Sequence, residues 1–202
     1  MNHAALGLSM HSGWGVLVAV SMDGDAVQVL DRRRIVITDP KLPGAKQPYH
    51  YAASLSLVNA QECLSEYAAS SERLAVAALL EVVAELDSRH YRIVGSAILL
   101  ASGRPLPSLS KILASHPLIH TAEGEFFRNA VHAACGRLQI PVTAVKAREL
   151  DDLAKSLFGN AASQMLLGIA SLGSSIGPPW TQDHKTGALA ASTILARGQK
   201  SN

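Results

Sequence analysis

Apolar residues near the amino terminus fall into short runs and alternating positions that predict three β-strands. The runs over residues 4–8 and 14–20 are typical of buried strands. The second run is followed by Asp23 and Gly24, a dipeptide suited to a tight hairpin turn. A third strand is predicted over residues 26–38, where apolar and polar positions alternate. Short turns between the three strands predict an antiparallel meander.

Beyond residues 39–48, a predicted loop with three prolines, the apolar period lengthens to that of helices. The helices predicted on this basis cover residues 51–67, 71–88, 121–135, 147–158 and 181–197. Strands are predicted over residues 92–100 and 140–145, and breaks or loops over 103–107 and 173–179. This order predicts one α/β domain over residues 1–202, with a mixed sheet of three antiparallel and then parallel strands, flanked by helices.

Residue types at three places predict where helices begin or end. Thr121 is expected to cap the helix over residues 121–135. Gly136 is expected to follow that helix in the left-handed conformation. Thr181 is expected to cap the last helix.

Composition excludes several classes of protein. Hydrophobic residues make up 48% of the chain and charged residues 17%, which supplies a full core and excludes a disordered chain. The net charge of +2 does not indicate a strongly basic nucleic-acid binder, and 4% aromatic residues argue against a base-stacking surface. Cys63 and Cys135 do not have the spacing of a metal site or a redox pair. The sequence shows neither the pattern of a signal peptide nor an apolar run long enough to span a membrane. A cytoplasmic protein without membrane contact is predicted.

Three segments carry a resemblance to known proteins. LGLSMHSGWGV (residues 6–16) is similar to the first strand and turn of those proteins, in which a Gly-Trp pair opens the second strand. AEGEFFRNAVHAACGRLQIPVTAVKARELDDLAKSLFG (residues 122–159) and GALAASTIL (residues 187–195) are similar to a helix-strand-helix unit and a last helix. With the order of elements, they resemble the ribonuclease H-like superfamily, and within it the Holliday-junction-resolvase branch. The resemblance implies a ribonuclease H-like fold.

Nucleases of that superfamily hold two divalent metals between carboxylates, and this chain lacks acids where the resemblance places them. The first-strand aspartate falls on Ser9, and the fourth-strand acid falls within residues 99–102, which hold no carboxylate. The last-helix aspartates fall near His184 and Gly187, with Asp183 as the nearest acid. We therefore expect a degenerate metal site without two-metal nuclease chemistry.

Candidate catalytic residues lie after the first strand and at the start of the last helix. Ser9 and His11 have the types of a nucleophile and a base, although neighbouring chain positions rarely supply the required geometry. The alternative is that they form a polar turn with Ser12. Asp183 is a candidate because the resemblance places catalytic acids in this helix, although helix capping alone would also favour an acid there. Lys185 beside it is a candidate binding residue.

The densest polar cluster lies in residues 115–128. Its titratable and charged members are His116, His120, Glu123, Glu125 and Arg128. The two histidines have His-x3-His zinc spacing, but Pro117 between them favours His116 as a cap rather than a second helical ligand. Glu123 is a candidate catalytic residue, and His120, Glu125 and Arg128 are candidate binding residues. The alternative is that the acids favour the helix dipole and the histidines are surface residues.

Arg32, Arg33 and Arg34 form the strongest basic run. In a strand their side chains alternate between faces, so Arg32 and Arg34 are expected to contact phosphates together while Arg33 points away. The alternative is a solvated strand end.

Three functional hypotheses follow. The first is a ribonuclease H-like protein with a degenerate metal site that acts by binding nucleic acid or another copy of itself. The second is a hydrolase or nuclease with a rebuilt site of His11, His120, Glu123 and Asp183, which requires these side chains to converge. Only this second hypothesis implies a divalent metal cofactor. The third is a structural homo-oligomer, indicated by the low charge and the alanine-rich helices.

Overall fold

A computed structural model describes residues 1–100 and 105–200 of the chain. Its five strands form one sheet in the order β3-β2-β1-β4-β5. The strands are β1 (Asn2–Met10), β2 (Trp14–Asp23), β3 (Ala26–Val36), β4 (Tyr91–Leu100) and β5 (Val142–Lys146). β1, β2 and β3 pair antiparallel, whereas β4 pairs parallel with both β1 and β5. The predicted mixed sheet with an antiparallel start and parallel continuation is confirmed.

Helices cover both faces of the sheet. They are α1 (Pro48–Ala52), α2 (Leu57–Ser88), α3 (Leu109–Leu113), α4 (His116–Arg137), α5 (Leu150–Phe158), α6 (Ala162–Ile176) and α7 (Gln182–Lys200). α1, α2 and α4 pack on the face formed by residues such as Leu6 and Leu8 of β1. α5, α6 and α7 pack on the opposite face, which includes Ala5 of β1 and Val18 of β2. Because neighbouring strand residues point to opposite faces, one short apolar strand supplies both cores.

The prediction of two helices over residues 51–67 and 71–88 is wrong. α2 runs without interruption from Leu57 to Ser88, and α1 is a separate short helix. Ser70 and Ser71, which lie where the break was expected, are both buried inside α2. Serine lowers helix propensity only slightly, and packing of this helix against the sheet outweighs that preference.

The expected beginning and end of α4 also need correction. α4 begins at His116 rather than Thr121, with Pro117 in its first turn, where the missing proline N–H costs no helical hydrogen bond. His116 is therefore a helical residue and not a cap. Gly136 is still helical, and the left-handed residue is Gln139, with φ 56°.

One predicted loop is placed differently by the structure, and another lies partly outside the described residues. Part of the predicted loop over residues 173–179 is helical, because α6 continues to Ile176. The predicted break over residues 103–107, and the position of the fourth-strand acid, lie partly outside the described residues.

The last helix approaches the first strand at two facing glycines. A Cβ atom on Gly7 would lie 1.9 Å from the carbonyl oxygen of Gly187, so only a residue without a side chain fits at this point of β1. Gly187 itself lies against Val18 of the neighbouring strand. This contact seats α7 directly on the sheet, with its first turn near the carboxyl end of β1.

Candidate functional site

Ser9 and Asp183 meet where the first turn of α7 lies over the end of β1. The Ser9 hydroxyl donates a hydrogen bond to Oδ1 of Asp183 over 2.9 Å. His11, just beyond β1, places its Nε2 atom 2.9 Å from Oδ2 of the same carboxylate. Both carboxylate oxygens of Asp183 therefore have a partner within the chain, and these three side chains come together although sequence reasoning had proposed them from distant segments.

This arrangement is not that of an activated serine nucleophile. A nucleophile and its base share a hydrogen bond, with a third group orienting the base. Here Asp183 lies between the two groups: Ser9 donates to Asp183, and His11 also bonds to Asp183. The geometry stabilises a carboxylate between two side chains.

An aromatic and cationic surface adjoins Asp183 at the turn between β1 and β2. The His11 ring stacks on Trp14 with 4.3 Å between ring centroids and 17° between planes. On β3, the Arg34 guanidinium carbon lies 4.1 Å from the Trp14 ring centroid. Gly13, with φ 81°, forms the turn that allows His11 to fold back onto Trp14. We call His11, Trp14 and Arg34 the turn surface.

The three arginines of β3 occupy different environments. Arg32 donates hydrogen bonds of 2.7 Å to the carbonyl oxygens of Ile176, Gly177 and Pro179, which anchors the connection between α6 and α7. On the other face, Arg33 pairs with Asp31 and Glu85. Arg34 is exposed; its guanidinium lies over the Trp14 ring and forms no hydrogen bond or ion pair with the described residues. The predicted alternation of faces is present, and Arg34 is the arginine whose donors are available to a ligand.

A second polar cluster lies on the opposite face of the sheet, where α1 meets α4. The buried carboxylate of Glu123 accepts hydrogen bonds from the Nδ1 atom of His50 over 2.8 Å and from its backbone N–H over 3.2 Å. The Nε2 atoms of His116 and His120 lie 3.0 Å apart. Sequence reasoning missed His50, because it lies on a five-residue helix far from residues 115–128 and no local spacing marks it.

The remaining candidate residues lie on α4 and on the first turn of α7. Arg128 donates to the carbonyl oxygen of Leu99 over 3.0 Å and pairs with Glu125 at 3.2 Å, which ties α4 to the end of β4. Both side chains of this pair are largely buried. Lys185 is half-buried and lines a groove between α5, α6 and α7.

The four residues of the hypothetical rebuilt hydrolase site do not converge in one cleft. His11 and Asp183 bond to each other beside α7, whereas His120 and Glu123 belong to α4 in the opposite helix layer. Within residues 1–100 and 105–200, one group of three His, Cys, Asp or Glu side chains is close enough to share a metal ion. It consists of His50, His116 and His120. Asp183 is not part of such a group.

His184 is buried beside Asp183, and its environment makes a pH-dependent contribution to stability. Its Nδ1 atom lies 3.2 Å from the backbone N–H and 2.8 Å from the hydroxyl oxygen of Thr181, so the neutral ring closes the first turn of α7. Burial and the positive charge of Arg32 lower the pKa of His184, against a smaller opposite effect of Asp183.

We expect the free energy of unfolding to fall as the pH drops below about 6.5, the ordinary His pKa, because the unfolded chain then binds the proton more readily than the folded one. His184→Gln keeps an acceptor for the Thr181 N–H but does not titrate. Between pH 7.5 and pH 5, its free energy of unfolding in urea should therefore fall less than that of the wild type. The exposed His132→Gln serves as the matched control. Equal pH dependence in all three proteins would contradict this role.

Among the residues that the structure describes, none of the helices combines the length and apolar character needed to cross a membrane.

Comparison with known proteins gives a match at the level of structure. No protein-family model and no curated protein sequence matches the chain. Two solved structures of Thermus thermophilus RuvC, one of them in complex with a Holliday junction substrate, align with a TM-score of 0.54 and 16% identity. Each alignment covers 98% of this chain and 96% of RuvC. A member of the Ppx/GppA protein family from Aquifex aeolicus aligns over 81% of this chain, with a TM-score of 0.38. The predicted fold is confirmed, because the chain shares the fold of these RuvC structures; at 16% identity the likeness is one of fold alone.

Proposed function

We propose that this protein binds nucleic acid through the turn surface of a ribonuclease H-like fold, without two-metal cleavage. The observation that carries the binding proposal is the exposed Arg34 guanidinium over the Trp14 ring, and the observation against cleavage is the bonding of Asp183 to Ser9 and His11. Two-metal hydrolysis needs several carboxylates with oxygens free to bind cations. Asp183 is one carboxylate, and its two oxygens already accept hydrogen bonds from the Ser9 hydroxyl and from His11.

The turn surface offers groups that suit a phosphate backbone. Arg34 presents several N–H donors to solvent while the Trp14 ring holds its guanidinium in place. His11, which stacks on the same Trp14 ring, is exposed beside it. The structural likeness to RuvC, which has been solved with a Holliday junction, supports a branched DNA as the first ligand to test.

The small positive charge of the chain limits the strength of this interaction. A net charge of +2 and one well-exposed arginine on the turn surface favour few phosphate contacts. Because each phosphate contact releases counterions, the affinity should fall with added salt, but with a shallow slope.

Arg34→Ala is expected to weaken binding of a fluorescent four-way DNA junction about 10-fold, because a hydrogen bond to a charged group contributes about 1.5–3 kcal/mol. Fluorescence anisotropy at low salt measures the change. Arg92→Ala is the matched control, since Arg92 is an exposed arginine near the start of β4, at the other end of the strands. The proposal would be overturned if the wild type did not bind the junction saturably, or if both variants lost the same amount of affinity.

Self-association stays a prediction for a separate experiment. Leu57 and Val58 at the start of α2 are exposed large apolar residues, which suits contact with a second copy. Sedimentation at micromolar protein concentration distinguishes a monomer from an oligomer.

A further inference from the structure

Three histidine rings from two helices converge on the face of the sheet opposite the turn surface. His50 belongs to α1, whereas His116 and His120 lie one turn apart at the start of α4. Each offers one ring nitrogen, and these atoms all lie within 4.8 Å of one another. The ring centroids are 4.5 to 5.3 Å apart, with the planes steeply inclined to each other.

These separations are close to those of a metal-bound histidine set. With Zn–N distances of about 2.0–2.1 Å and tetrahedral geometry, ligand nitrogens lie about 3.3 Å apart. The Nε2 atoms of His116 and His120 are already 3.0 Å apart, so small side-chain rotations complete the set. Because both side chains are exposed, their rotation meets little resistance from packing.

The position of Glu123 is independent evidence that this histidine cluster is a metal-binding site. Its carboxylate is only 3% exposed, and its Oε1 atom accepts the hydrogen bond from Nδ1 of His50. Metal-binding histidines commonly donate the ring N–H that is not bound to metal to such a carboxylate, which fixes the tautomer and orients the ring. In this arrangement the Nε2 atom of His50 is the one left to bind a cation.

We propose that His50, His116 and His120 bind a divalent transition-metal ion of the zinc class, with Glu123 as a positioning residue. Three imidazole nitrogens suit zinc and related ions, whereas magnesium requires oxygen ligands. The exposed side of the cluster leaves the fourth coordination position to water or to a small ligand. Because the ligands come from α1 and α4, the ion also joins the segment before α2 to the helix that packs beside it.

Zinc binding is measured by competition between the metal-free protein and a coloured chelator, and Co²⁺ substitution gives the coordination geometry from its visible spectrum. We expect one equivalent of zinc per chain and a Co²⁺ spectrum typical of four-coordinate nitrogen and oxygen ligands. His120→Ala should weaken zinc binding at least 100-fold. The matched control is His132→Ala, which removes an exposed histidine further along α4 and should bind zinc as the wild type does.

The role of Glu123 is tested separately from that of the ligands. Glu123→Gln should keep the stoichiometry but weaken zinc binding by about 10- to 100-fold, as found for residues that orient a ligand. Added zinc should raise the thermal unfolding temperature of the wild type but not that of His116→Ala, while circular dichroism confirms that each variant is folded. Wild-type binding no tighter than that of His120→Ala, or an equal loss in His132→Ala, would overturn the site. Neither result depends on whether the turn surface binds DNA.

Discussion

Replacing Gly7 with alanine is expected to destabilise the protein by about 3 kcal/mol, the upper part of the usual range for overpacking a core. The added Cβ atom would lie 1.9 Å from the carbonyl oxygen of Gly187 and 2.9 Å from its Cα atom. These are backbone atoms of α7, so the steric overlap is removed only if the helix moves away from β1. The same movement separates Asp183 from Ser9.

Urea unfolding followed by circular dichroism measures this loss. Gly136→Ala is the matched control, because a Cβ atom there has no neighbour within 4 Å and Gly136 lies in the last turn of α4. That variant should be neutral or more stable by up to about 1 kcal/mol, since alanine favours helix over glycine. A Gly7→Ala protein as stable as the wild type would show that α7 does not rest on β1 in this way.

Ser9→Asp places a second carboxylate beside Asp183 and is expected to cost about 2 kcal/mol of stability at pH 7, because like charges at such a separation repel strongly. The Ser9 hydroxyl oxygen lies 2.9 Å from Oδ1 of Asp183, and the variant replaces this hydrogen bond by repulsion. The penalty should shrink at lower pH, where one carboxylate of the pair becomes protonated. It should also shrink on addition of Mg²⁺, which binds carboxylate oxygens.

Comparison with Ser9→Asn separates the effect of the new charge on stability from the effect of the size of the new side chain. Asparagine has nearly the volume of aspartate but remains uncharged and keeps a donor for Asp183. Thermal unfolding of both variants with and without Mg²⁺ should show a cation effect in Ser9→Asp alone. Equal destabilisation of the two variants, independent of pH and Mg²⁺, would contradict the electrostatic account of this position.

The strands were predictable because the signals that define them are local. Alternation of apolar residues, and the turn dipeptide Asp23 and Gly24, gave β1, β2 and β3 nearly their observed bounds. The opposite orientations of Arg32 and Arg33 also follow from alternation alone. The division of α2 into two helices failed because packing of Ser70 and Ser71 against the core is a tertiary effect, which no local pattern reveals.

The candidate sites were only partly predictable, because their bonds join distant parts of the chain. Ser9 and Asp183 were identified from the resemblance, but 174 positions separate them and only the seating of α7 on β1 shows that they bond. Arg32 was expected to contact phosphates, yet it donates hydrogen bonds to carbonyl oxygens about 145 residues further along the chain. His50 was missed because its relation to His120 arises from the packing of α1 on α4.

Incubation of the purified protein with a labelled four-way DNA junction in Mg²⁺ or Mn²⁺ shows whether the protein binds the junction without cleaving it. The experiment uses a protein concentration at which anisotropy shows the junction to be bound, and a denaturing gel reports strand cleavage. We expect bound junctions whose strands remain intact, equally for the wild type and for Asp183→Ala. Metal-dependent cleavage by the wild type that Asp183→Ala abolishes would contradict it.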